Sequence, residues 1–147
     1  MTNGQRLMAM LLCSTPVILL TWGCSQQPQA AQSQAAQESL DIALTMSADE
    51  DAEQVEALLT EAIEGDALET DQWTDAVFRR AQVRYRLQKY DEALADLEEL
   101  EPGAPDLALL LALRAEILLA DGKMADAKAA ADKARLANPR VKLPRGV

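Results

Sequence analysis

Two cysteines, no histidine and 24 carboxylates are the groups from which this chain could build a reactive centre. Without an imidazole, a serine or cysteine nucleophile has no common general base beside it. There is no glycine-rich phosphate loop, no HExxH helix and no nucleophile elbow. Acid catalysis by a buried glutamate would need a groove to hold it, and Glu116 is the best placed for that role. The sequence therefore points away from an enzyme. It contains no metal-ligand spacing and no cofactor motif, so no metal, cofactor or small-molecule substrate is expected.

Cys13 and Cys24 offer thiol chemistry instead, and their surroundings decide which kind. Residues 2–6 are a short polar start with one positive charge, Arg6. Residues 7–20 are almost wholly apolar, interrupted by Ser14, Thr15 and Pro16. This is the layout of an export signal. As a helix, residues 7–22 would reach about 24 Å against a hydrocarbon core of roughly 30 Å, too short for a span. The stretch closes on Leu20-Thr21-Trp22-Gly23-Cys24, which resembles the lipobox of bacterial lipoproteins, although Leu20 stands four rather than three before the cysteine. The resemblance implies removal of residues 1–23 as a signal peptide, with diacylglycerol on Cys24. Ser25 rather than aspartate after that cysteine implies sorting to the outer membrane, facing the periplasm. Cys13 would leave with the signal and Cys24 would be blocked, so no disulfide is expected in the mature chain.

Charge is distributed unevenly. The whole chain carries a formal net −10, which excludes an ordinary nucleic-acid binder. No lysine or arginine occurs between Arg6 and Arg79, while residues 38–75 hold 13 carboxylates. Residues 123–147 reverse this, with seven basic against two acidic side chains. Such a dipolar chain can present an acidic front and a basic rear.

The elements that must carry these charges are helical. Aromatics make up 3% of the chain, alanine and leucine dominate its apolar content, and no stretch alternates long enough for a sheet. Residues 24–37 comprise Cys24 and SQQPQAAQSQAAQ, a segment with no charge and no large apolar side chain. It reads as a flexible tether of about 20 Å. From residue 38 to 139 amphipathic helices follow, and 140–147 form a basic extended tail, either frayed or a short binding arm.

An internal repeat organises the helical part. Ala81 and Ala115, Ala93 and Ala127, and Pro105 and Pro139 all recur at a step of 34. Within each unit a small residue is followed twelve positions on by another, the spacing that lets two helices cross closely. The units span residues 75–105 and 109–139, with a weaker one over 39–63 in which Ala43 and Val55 take the paired positions. Ser47 to Glu50 is a capping-box candidate for its second helix. The period and the Lys89-Tyr90-Asp91-Glu92-Ala93 turn resemble the tetratricopeptide repeat. Arg80, Arg84 and Arg114 depart from that pattern, standing where the family places leucine or tyrosine. The resemblance implies an all-α fold, a short right-handed solenoid of about three antiparallel hairpins. Its concave face would carry Asp75, Phe78, Gln82, Tyr85 and Arg86, then Leu109, Ala112, Glu116 and Leu119. No asparagine lies between Asn3 and Asn138, so the family's carboxylate clamp is missing. The function expected is a protein-protein adaptor that supports an envelope complex and reaches the membrane through the lipid on Cys24. The alternatives are a self-assembling structural module and a carboxylate-dependent cell-wall hydrolase.

Overall fold

The computed structural model describes residues 27–47 and 51–147. The signal segment and Cys24 lie outside these residues, as do Ala48 to Glu50 of the expected capping box. Among the described residues the protein is all-helical: α1 Gln27–Thr45, α2 Ala52–Glu64, α3 Thr70–Arg86, α4 Tyr90–Leu100, α5 Leu107–Ala120 and α6 Met124–Ala137, with a 3-10 turn at Glu101–Gly103. None of these helices is long and apolar enough to cross a membrane.

Consecutive helices pack in pairs, α1 on α2, α3 on α4 and α5 on α6, and the pairs touch through α2 and α3 and through α4 and α5. Three apolar clusters hold them together. Ala43 and Val55 lie in the cluster of α1, α2 and α3. Ala81 and Ala93 lie in the central cluster. Ala115 and Ala127 lie in the cluster of α5 and α6. All six are 0% exposed. Each pair thus sits where its two helices touch, and a longer side chain there would push the helices apart.

The step of 34 is visible in the backbone itself. Between α3 and α4, Gln88 N–H donates to Tyr85 O at 3.0 Å and Lys89 N–H to Arg84 O at 2.8 Å. Between α5 and α6, Gly122 N–H donates to Leu119 O at 3.1 Å and Lys123 N–H to Leu118 O at 2.9 Å. Gln88 and Gly122 both adopt a left-handed backbone, at φ 61° and 79°. Only the second is the glycine that this conformation favours.

The helices start where the chemistry allows. Asp106 caps α5 by accepting from Leu109 N–H at 3.0 Å. A reciprocal capping box joins Glu69 and Gln72 at the start of α3, a glutamate-led version that the sequence pattern did not point to. At α2 the N-cap position is Asp51, whose side chain makes no capping bond. α5 is apolar nearly all round, as befits a helix packed against α3, α4 and α6.

Two expectations are corrected. The tether is not a coil from residue 27 onward: Gln27–Thr45 is one helix. Alanine and glutamine are good helix formers, and α1 gains tertiary contacts through them. Ala36 is 2% exposed, and a Cβ on Gly65 would stand 2.8 Å from the Ala36 Cβ. Gln37 and Gln72 also pair their amides across α1 and α3, at 2.8 and 3.4 Å. The tail is not frayed either. Residues 138–147 lack regular structure, yet Val141 and Leu143 pack on the central cluster, and Leu143 and Val147 pack on the α5–α6 cluster. Arg135 Nη2 donates to Val147 O at 3.2 Å. The apolar side chains of this basic segment seal the last hairpin, while Arg140, Lys142 and Arg145 stay exposed.

Candidate functional site

Helices α3 and α5 touch each other across the hairpins, and the residues expected to face a partner fall on them. On α3, Asp75, Gln82 and Arg86 are exposed, and Phe78 and Tyr85 are half-buried. On α5, Leu109 is 49% exposed, Glu116 is exposed and Leu119 is half-buried. Ala112 is the exception. At 5% exposure it is core, because α5 is enclosed on nearly all sides and has few outward positions.

Side chains of the two helices come together at two places. At one end, the Tyr85 hydroxyl donates to Glu116 Oε1 at 3.4 Å, and the Tyr85 and Tyr90 rings lie 6.2 Å apart and tilted. Burial, and then the Glu116 carboxylate, push the Tyr85 phenol above its ordinary value. At the other end, Phe78 and Leu109 line one cleft with Leu100, Leu110, Pro105 and Ala104, and Asp75, Thr74 and Asp106 complete it. Phe78 also packs on the central cluster, so it is both core and cleft wall. The cleft measures about 100 Å³. Small-molecule sites run to roughly 300–1,000 Å³, so this one is sized for a side chain or two. Glu116 is exposed and accepts from Tyr85 rather than being buried. Among the described residues no cluster of His, Cys, Asp or Glu could hold a metal ion.

Sequence reasoning missed an ion network among α2, α3 and α4. Arg80 donates through Nη2 to Asp96 Oδ1 at 2.7 Å and through Nε to Oδ2 at 3.2 Å. Arg84 donates to the same Oδ1 at 2.7 Å and to Glu56 Oε1 at 3.1 Å, and Lys89 also pairs with Glu56. The network runs from α2 through α3 to α4, fastening the first hairpin to the second. Burial raises the Glu56 carboxyl, but hydrogen bonds and charge from Lys89 and Arg84 outweigh that and hold it below its ordinary value. Arg114, one repeat after Arg80, finds Ala130 where Asp96 would be and turns to Glu101 at 2.9 Å. The three arginines that depart from the repeat pattern are thus the three that make these ion pairs. Arginine at a leucine position, with an aspartate sixteen residues on, was the available signal.

Comparison with protein-family models, curated proteins and solved structures returned no match.

Proposed function

We propose that this chain is a short right-handed solenoid of three tetratricopeptide-like hairpins, held on the outer membrane by lipid at Cys24, whose α3–α5 face docks another protein of the cell envelope. The solenoid reading is supported by the turn hydrogen bonds that recur at a step of 34 and by the small-residue pairs buried in successive hairpins. The docking reading is carried by one observation. Side chains from two separate hairpins come together at two places, an apolar cleft lined by Phe78 and Leu109 and a polar, aromatic contact between Tyr85 and Glu116. Interfaces of this kind use an aromatic or aliphatic anchor ringed by polar groups.

The membrane half of the reading rests on the signal layout and on Gly23-Cys24. Two acyl chains, at about 0.8 kcal/mol per buried methylene, anchor a protein stably. The mass of the mature amino terminus tests it: a lipidated Cys24 is expected, and an unmodified terminus at another residue would overturn the anchor. The docking half is tested with Gln82→Glu combined with Arg86→Glu, both at exposed positions. The double variant is expected to stay folded, as circular dichroism reads it, and to lose at least about tenfold in affinity for the protein that wild type captures. Full binding by a folded double variant would place the site elsewhere.

A further inference from the structure

The cleft and the end of α6 carry opposite chemistry. The cleft's apolar walls, Phe78, Leu100, Leu109 and Leu110, are accompanied by Asp75 and Asp106, and no basic side chain lines it. Asp106 caps α5 through one carboxylate oxygen. On α6, Leu136 is 86% exposed, the most exposed of the large apolar side chains among the described residues. Lys133 lies three residues before it on the same helix and Arg140 four after it, beyond the helix end, both exposed, while Asp132, four before it, is paired with Arg135 at 2.9 Å.

A single leucine in water is ordinary on a protein surface. The case lies in the match between two features of one chain: an apolar knob flanked by cations, and an apolar cup flanked by carboxylates and sized for a side chain or two. We propose that the cleft of one copy receives Leu136 of a second copy, with Lys133 and Arg140 meeting Asp75 and Asp106. Burying the knob removes apolar surface from water on both sides, and the opposite charges set the register. The contact joins two different surfaces, so it is heterologous and propagates head to tail. It rests on the reading of the α3–α5 face as a docking surface and occupies only its cleft end. The Tyr85–Glu116 end stays open to a foreign partner.

The test uses the full chain in its own membrane, with a benzophenone amino acid at position 136 and cross-linked peptides identified by mass. A dimer is expected, with the adduct on a peptide that contains Phe78 or Leu109. Asp75→Lys and Lys133→Asp are each expected to cut dimer yield about threefold or more, and the two together in one chain to restore it, because both sides of the contact are then reversed. Adducts from position 136 that reach only other proteins, or this chain away from the cleft, overturn the proposal, as does a double variant no better than the singles. The same probe at position 109 separates the two readings. Adducts there with a foreign protein and none with this chain overturn the second copy and leave the docking surface standing, whereas no adduct at 82, 86, 109 or 136 overturns both.

Discussion

Arg80 and Asp96 meet at two points, 2.7 and 3.2 Å, with side chains only 10% and 3% exposed. Arg84 adds a third bond to the same carboxylate. Asp96→Ala leaves two arginines facing a buried alanine, and losing one partner of a buried pair costs about 3–5 kcal/mol. Urea unfolding is expected to show a loss of that size. Replacing the pair together, as Arg80→Met with Asp96→Leu, is expected to cost far less, because a buried ion pair is often matched by well-packed apolar residues. Equal losses in the single and paired variants would mean that the network's charge is not what those positions supply.

The two turns at step 34 predict opposite effects from exchanging their residues. A non-glycine residue in left-handed backbone costs about 1–2 kcal/mol, and Gln88 bears that cost at φ 61°. Gln88→Gly is expected to raise stability by up to about 1 kcal/mol, after allowance for the freedom glycine adds to the unfolded chain. Gly122→Ala, at φ 79° with nothing within 4 Å of an added Cβ, is expected to lower it by about 1 kcal/mol through backbone strain alone. Thermal unfolding of the two variants checks both signs.

Glu56 makes the joint between the first and second hairpins sensitive to acid. Its carboxyl is held below the ordinary 4.5 by Lys89 and Arg84 against the opposing effect of burial. A group with a depressed folded value contributes stability that is complete above its unfolded value and is lost as pH falls through the folded one. Wild type is therefore expected to be more stable than Glu56→Gln at neutral pH, with the gap closing below about pH 4.5. A gap that persists unchanged at pH 3 would show that Glu56 is not ionised in the joint.

Gly65 sets how closely α1 can lie on the end of α2. An added Cβ would meet the Ala36 Cβ at 2.8 Å, closer than real contacts allow, so Gly65→Ala must move α1. A loss of about 1–3 kcal/mol is expected, the range for overpacking a filled site. Faster amide exchange should be confined to α1 and its contacts with α2 and α3. Uniform loosening of all six helices would separate Gly65 from this role.

The all-helical fold and the paired small residues were legible in the sequence because helical periodicity and a fixed step leave marks that tertiary context does not erase. Ala81 and Ala93 are as buried as that spacing requires. The helix over residues 27–37 was not legible. Glutamine and alanine without large apolar side chains look like a linker, and only contact with Gly65 and Gln72 distinguishes them from one. The side chains expected on the α3–α5 face were legible in part. Tyr85 and Glu116 do meet, and Phe78 and Leu109 line the same cleft. Ala112 was misplaced, because a repeat pattern assigns faces without knowing that α5 is enclosed by α3, α4 and α6. The ion network needed partners from three helices, and no local pattern carries that.

Docking of another protein on α3 and α5, as proposed, can be mapped position by position. Photo-cross-linking residue by residue in the full chain tests it most directly, with probes at Gln82, Arg86, Leu109 and Glu116 set against probes at Ala95, Glu98 and Lys128 on exposed positions of α4 and α6. Protein adducts are expected from the first group and none above background from the second. Adducts concentrated on α4 and α6, or spread evenly over both groups, would contradict it.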